Sequence, residues 1–558
     1  MNLFKTMLAA TALAGMASPM AIAPAQAAPA AQAGRPNIIV VIVDDMGFSD
    51  LGAFGSEIRT PNLDALATKG VRFSNFHATP VCAPTRAELL TGVDHHQTGI
   101  GNFPELIQDN QAGRPGYEGY LNNRVVTIAE RLRDAGYKTI HSGKWHLGYD
   151  PAANPAARGF ERSFSMLGGG HNHFGTDKDR KRPDMPNVGL VYTLDGKAVS
   201  IPDQFYSTDY FTDRLIDFLP EAGDKRPFFG YLALTAPHYP LHALPEDIKR
   251  YAGKYDAGYD VLREQRLARL KSLNLIAPNV EAHAPTSPDR WAALPDDVKK
   301  VEARKMEVYA AMVDRVDQNI GRLMAALKKR GLDENTVVMF LSDNGPEGHE
   351  LDKSFIIPEA GKAMLASADN RLESIGSAQS YVWYGPNWAE AASAPFRKYK
   401  SFPTEGGTRV TAFISYPAHL RGGIESSYVS VRDVVPTLLD YAGVQADLAH
   451  YKGKDVIAPQ GISFAARIAP GAKAEVLPPV FAAGEMFGRR YVRRGNWKAV
   501  HIPPPTGSGR WQLFDMDKDP GEVHDLSRDN RELLADLVKS WNVYAAEKGV
   551  VPPIIPGN

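Results

Sequence analysis

Residues 36–47 read "PNIIVVIVDDMG", and residues 38–43 are all Ile or Val. An unbroken β-branched run that stops at polar residues predicts a central strand buried on both faces. Three later segments follow the same plan. "YKTIHSGKWHLG" predicts a strand at 137–141, followed by Lys144 and His146. "PFFGYLALTAPHYP" predicts one at 228–234, followed by His238, and "TVVMFLSDNG" one at 336–341, followed by Asp343 and Asn344.

Helical patterns lie between these strands. Residues 127–136 are amphipathic and stop at Gly136, and 297–331 repeat apolar residues at three- or four-residue spacing before Lys-Lys-Arg-Gly. A further helix is predicted at 430–444. Strands alternating with helices define an α/β fold: a large, mixed, mostly parallel sheet sandwiched by helices. In such sheets ligands bind beyond the carboxyl ends of the strands, where all four segments carry polar or charged residues. Segments 171–205, 256–296 and 346–395 read as polar insertions that would shape a substrate entrance. Beyond about residue 470 short antiparallel strands and a helix at 530–547 predict a smaller C-terminal α+β unit. The expected organisation is therefore a leader at 1–27, a catalytic domain at 28–470 and a C-terminal subdomain at 471–558.

The leader carries Lys5, an Ala/Leu/Met-rich run and Ala25-Gln26-Ala27, the pattern of a secretory signal peptide cleaved after Ala27. No other stretch is long and apolar enough to span a bilayer. The expectation is a periplasmic or secreted protein with no membrane anchor after cleavage. Lys and Arg number 63 against 64 Asp and Glu, with no basic block, so nucleic acid is not an expected partner.

Asp44, Asp45, Asp343 and Asn344 are hard oxygen donors at two strand ends and suit Ca²⁺ or Mg²⁺. Either pair alone is equally ordinary turn chemistry; together at one sheet edge, three carboxylates need a cation to offset their repulsion. Lys144, His146, His238 and Lys400 are candidate cations and acid–base groups, although singly each reads as readily as a structural or solvated residue. His171, His173 and His242 are left as rim residues without an assigned role. Cys82, in "TPVCAPTRAELLTG" (79–92), is the only cysteine in 558 residues. Pro84 suits a first helical turn and Gly92 a helix end, so Cys82 would start a helix whose backbone N–H groups favour an anion. Arg86 follows one turn later on the same side.

"CAPTRAELLTG" resembles the signature of the type I sulfatases, C-x-P-S/T-R followed by a short helix and T-G. "SGKWHLG", "APHYP", "LSDNG", the Lys400–Arg409 segment and "LFDMDKDPGEVHDLS" are similar to family motifs in the family's order, and "TPNLDALATKGVRFSNFH" and "TGVDHHQTGIG" look most like the bacterial arylsulfatases. The resemblance implies an alkaline-phosphatase-like sulfatase fold and conversion of Cys82 to Cα-formylglycine by a formylglycine-generating modification enzyme that reads Cys82, Pro84 and Arg86. It implies one Ca²⁺ per chain, held by Asp44, Asp45, Asp343, Asn344 and residue 82. Arg86 would hold the formylglycine hydrate, Lys144 and Lys400 the sulfate, His146 would be the base near the hydrate and His238 the acid near the leaving group.

The implied reaction is hydrolysis of a small-molecule sulfate monoester, with aryl sulfates expected, to an alcohol or phenol and inorganic sulfate. A hydrate hydroxyl attacks sulfur with help from Asp343, a covalent sulfo-enzyme forms, and His146 triggers sulfate release. Three alternatives stand beside it. They are a phosphonate monoester or phosphodiester hydrolase on the same fold, a thiol hydrolase using unmodified Cys82, and a non-enzymatic calcium-binding protein.

Overall fold

The computed structural model describes residues 34–554, except 178–180, 183–184, 190, 222, 354–358, 446 and 473–478. The leader at 1–27 lies outside the described residues.

Ten strands form the main sheet: β1 Asn37–Val43, β2 Val71–Phe73, β3 Lys138–Lys144, β4 Arg162–Met166, β5 Tyr192–Leu194, β6 Lys197–Val199, β7 Phe228–Ala233, β8 Thr336–Ser342, β9 Ala412–Ser415 and β10 Gly423–Glu425. Their order is β10-β2-β9-β8-β1-β7-β3-β4-β5-β6. The five middle strands, β8, β1, β7, β3 and β4, run parallel. The Ile/Val run forms β1, and all seven of its residues are buried. Ile39, Val41 and Val43 point into one apolar layer, and Ile38, Val40 and Ile42 into the other. Helices Pro61–Lys69, Ser207–Phe218 and Asp296–Lys329 cover the first face. Cys82–Thr91, Ile128–Asp134 and Val434–Tyr441 cover the second. Burial on both faces is why the strand reads as continuous apolar residues rather than alternating ones.

Register aligns the strand ends. Val43 pairs with Ser342, Ile42 with Ala233, and Ala233 with Gly143. The next residues of three strands are then Asp44, Asp343 and Lys144. The predicted strand at 137–141 is too short, since β3 runs on to Lys144 itself. Gly143 permits this: its φ is +119°, and a Cβ there would lie 1.9 Å from the carbonyl oxygen of Ala233.

Segment 256–296 is not simply a polar rim. It holds the helix Gly258–Ser272, whose Tyr259, Leu262 and Leu270 are buried. The buried Arg266 bonds to Asp50 at 2.5 Å and to Glu57 at 2.9 Å. Its many charged residues hide a supporting role, because one buried arginine satisfied by two carboxylates leaves no apolar signal.

At the C-terminal end, Phe481–Met486, Arg489–Arg494, Trp497–His501 and Trp511–Asp515 form a four-stranded antiparallel sheet. The helix Arg531–Lys548 packs Leu537, Trp541 and Tyr544 onto its Ala483, Val492, Ala499 and Leu513. Buried Lys498 bridges Glu405 at 2.7 Å and Glu522 at 2.9 Å, while Arg489 donates to the Ser401 carbonyl at 2.8 Å. This sheet therefore grips the loop that carries Lys400. Among the described residues no helix is long and apolar enough to cross a membrane.

Candidate active site

All ten residues singled out in the sequence meet beyond the carboxyl edge of the sheet, and all are buried. Cys82 begins the helix Cys82–Thr91, which ends at Gly92 with a left-handed φ of 71°. Arg86, one turn along, donates two bonds to Asp343 Oδ2, from Nη2 at 2.7 Å and Nε at 3.1 Å. Lys144 Nζ lies 2.7 Å from Asp44 Oδ2, and Lys400 Nζ 2.8 Å from Asp45 Oδ2. Asn344 donates its amide to Asp45 Oδ1 at 2.7 Å. Asp45 and His146 hold the left-handed conformation, with φ of 67° and 58°, which turns the chain sharply at the ends of β1 and β3.

The electrostatics fit a cation. Burial pushes the Asp45 carboxyl well up, and Lys400 only partly offsets the added charge of Asp44, Glu347 and Asp343. Burial and the neighbouring Asp44 also raise Asp343 against the pull of Arg86. Asp44 is the exception: burial works against it, yet the permanent charges of Lys144 and Arg86 hold it ionised. Asp44 Oδ1 and Asn344 Oδ1 are buried with no hydrogen-bond partner. Ligand atoms of Asp44, Cys82 and Asp343 lie within 4.8 Å of one another, as do those of Asp44, Asp45 and His238. Two orphaned hard oxygens among three crowded carboxylates match the Ca²⁺ donor set.

The histidines stand at different points of the site. His146 Nδ1 is 3.4 Å from Cys82 Sγ. Burial opposes its charge, but Cys82 and Glu105 overcome this and raise its pKa. Burial likewise disfavours the Cys82 thiolate, but Lys144 and His146 bring the thiol below its usual range. For His238, burial and Lys400 outweigh the opposing pull of Asp44 and the Tyr239 carbonyl and push it well down. Its Nε2 is 3.6 Å from Asp45 Oδ2, and its Nδ1 is 2.5 Å from the Tyr239 carbonyl oxygen.

His171, His173 and His242 are not rim residues. They are buried behind the His238 loop: His171 bonds to Tyr192 and Thr235, His173 to Ser207 and the His238 carbonyl, and His242 to the Ser380 carbonyl. Two partners are absent from the sequence reading. Glu347 sits 3.3 Å from Lys400 Nζ, and Glu105 3.3 Å from His146 Nε2. Both come from loops with no periodic pattern; the polarity next to "LSDNG" was the one hint of Glu347.

The fold and this cluster define a hydrolytic site for an anionic ester, with cationic side chains and hard oxygens around one nucleophile position. A family profile described as Sulfatase matches residues 36–444, and the chain belongs to the sulfatase family. It is 42% identical over 534 residues to an uncharacterized sulfatase of Schizosaccharomyces pombe, covering 93% of this chain and 95% of that protein. It is 40% identical over 459 residues to the arylsulfatase of Klebsiella aerogenes, covering 81% and 96%. The crystal structure of Ps i-CgsB in complex with k-i-k-neocarrahexaose superposes with a TM-score of 0.64 at 27% identity, over 92% of this chain and 93% of that one. The structure of BT4656 in complex with its substrate D-glucosamine-2-N,6-O-disulfate shares the fold, with a TM-score of 0.60 at 21% identity over 92% and 98%. The protein is thus a sulfatase-family enzyme that hydrolyses sulfate esters.

Proposed function

We propose that the enzyme acts on sulfate monoesters with aryl leaving groups, using residue 82 as formylglycine and one Ca²⁺. The observation that carries this reading is the meeting of Cys82, two lysines, two histidines and the Asp44/Asp45/Asp343/Asn344 oxygens at one sheet edge. Asp44, Asp45, Asp343, Asn344 and residue 82 would hold the cation, which when bound draws charge from sulfuryl oxygens and acidifies a hydroxyl. Lys144 and Lys400, fixed by Asp44 and Asp45, offer two ammonium groups to the anionic substrate. Arg86 fixes Asp343 beside the residue-82 side chain. His146 Nδ1 faces residue 82 and is the base for its proton. His238, with Nε2 toward Asp45, is the acid for the leaving oxygen once the anionic substrate offsets the charge of Lys400 and lets the imidazole take up a proton.

The aryl preference is supported by the Klebsiella relative and by half-buried Phe103, Tyr149, Tyr239 and Trp383 around the site. A phosphonate or phosphodiester hydrolase would use the same groups. Thiol hydrolysis by Cys82 draws support from the 3.4 Å contact with His146, but leaves the oxygen cluster without a use. We further propose export through residues 1–27 and maturation by a formylglycine-generating enzyme. A panel of aryl, alkyl and sugar sulfates beside phosphate and phosphonate esters tests the reading. Aryl sulfates should turn over fastest; faster turnover of phosphonate esters, or none of any sulfate, overturns it.

A further inference from the structure

His146 is held by more than its own backbone. Glu105, in the short turn Pro104–Leu106, brings Oε2 to 3.3 Å from His146 Nε2. Its other oxygen accepts the Tyr149 hydroxyl at 2.6 Å. The Phe103 ring stacks on the imidazole, centroids 5.3 Å apart and planes at 21°. Gly169 approaches so closely that a Cβ there would lie 2.7 Å from ring atoms Cε1 and Nε2. Burial works against the Glu105 charge, but His146 and Tyr149 hold its pKa down at about 2. An ionised carboxylate only accepts, so Nε2 carries the hydrogen, and in the neutral ring the lone pair is then on Nδ1, toward residue 82.

We infer that Glu105 is a positioning residue: it fixes the Nε2–H form of His146 and pairs with the imidazolium that forms when Nδ1 takes a proton from residue 82. This rests on the reaction proposed above. One O–H bond at residue 82 breaks and one N–H bond forms at Nδ1; the freed electron pair makes the aldehyde C=O bond while the C–O bond to the sulfate breaks, and sulfate leaves with that bond's pair. The Nε2 proton stays in place and Glu105 remains ionised, as does the buried acid of a Ser-His-Asp triad. The effect falls on the step after the leaving group has departed, because that is when His146 works.

The test uses the full-length matured enzyme with Glu105→Gln, Glu105→Ala, Glu105→Asp, His146→Ala and the double variant Glu105→Gln/His146→Ala. Thermal unfolding first shows which variants fold, and the isosteric Gln change covers a failure of Ala. Aryl sulfates of graded leaving-group basicity are then followed by stopped flow, and the residue-82 peptide is weighed after acid quench. Glu105→Gln or Ala should lower kcat about 10–100-fold, below the ~10²–10⁴ that a whole acid–base group supplies. The lowered kcat should be the same for every aryl group, with a burst of phenol and sulfate retained on the residue-82 peptide. Glu105→Asp should recover part of the rate, and the double variant should be no slower than His146→Ala. A variant that keeps leaving-group dependence without a burst, or double-variant losses that multiply, overturns the inference. Failure of the wild type to hydrolyse any sulfate ester overturns the reaction itself, a result distinct from those of the variants.

Discussion

One contact between the C-terminal unit and the main body centres on a buried histidine. His96 is buried, with Nδ1 3.1 Å from Asp94 Oδ1 and Nε2 3.7 Å from Glu485 Oε2 on the C-terminal sheet. Tyr544, from the last helix, donates to Asp94 Oδ2 at 2.9 Å. Arg432 lies 3.5 Å from Asp94 and 3.7 Å from Glu88, and the His95 ring centroid is 3.8 Å from that of His96. Tyr117 flanks the ring at 6.2 Å. Burial disfavours charge on His96, but Asp94 and Glu485 more than reverse this and raise its pKa from 6.5 to about 9. A raised folded pKa stabilises fully below the unfolded value, and that stability is lost as pH rises through the folded one. At 1.36 kcal/mol per pH unit, the loss between pH 6.5 and 9 is about 3 kcal/mol. Glu88 acts with the same sign over a lower window: burial lifts it from 4.5 to about 7, so its share is lost across that interval. Asp94 is depressed and loses its stabilisation only on acidification, so it does not vary in the alkaline window. Urea unfolding followed by tryptophan fluorescence at half-unit pH steps reads this directly, since Trp511 and Trp541 lie in the C-terminal unit. His96→Gln should be less stable at pH 6.5 and flat above it. A wild-type midpoint that does not move between pH 6.5 and 9.5, or an unchanged slope in His96→Gln, refutes the reasoning.

Lys498→Met removes the buried cation that bridges Glu405 and Glu522 and leaves the longer contacts of Arg409, at 3.6 Å, and Arg397, at 3.3 Å. It should cost about 3–5 kcal/mol in unfolding free energy and lower kcat, because the Lys400 loop loses its anchor; unfolding and rate assays check both. His238→Ala should lose about 10²–10⁴ more activity on alkyl than on nitrophenyl sulfate, since nitrophenoxide leaves without a proton. Equal losses on both substrates would contradict its role as the acid. Exhaustive chelation should lower both Tm and activity, as the carboxylates then repel, with calcium restoring both. Unchanged behaviour with no metal by elemental analysis would contradict the cation site.

Much of the site was legible because it follows from where strands end. Asp44, Lys144 and Asp343 each lie at or just past the end of a buried parallel strand, so register alone brings them together. The Cys82 helix was legible through Pro84 and Gly92, whose backbone preferences mark its first turn and its end. Glu105 and Glu347 were not, because each reaches its histidine or lysine from a loop that only tertiary packing sets. The buried positions of His171, His173 and His242 were hidden for the same reason: a satisfied histidine and a rim histidine look alike in sequence. Lys498 gave no signal either, since its two carboxylate partners lie 93 and 24 residues away.

The central claim is that sulfate esters are cleaved at a modified residue 82. Mass spectrometry of the peptide spanning residues 79–92 from fully active enzyme tests it most directly. The cysteine sulfur should be replaced by an aldehyde oxygen, a hydrazine reagent should capture the aldehyde, and the modified fraction should track specific activity across preparations. Full activity in enzyme whose residue 82 is an intact thiol, alkylated stoichiometrically by iodoacetamide, would contradict it.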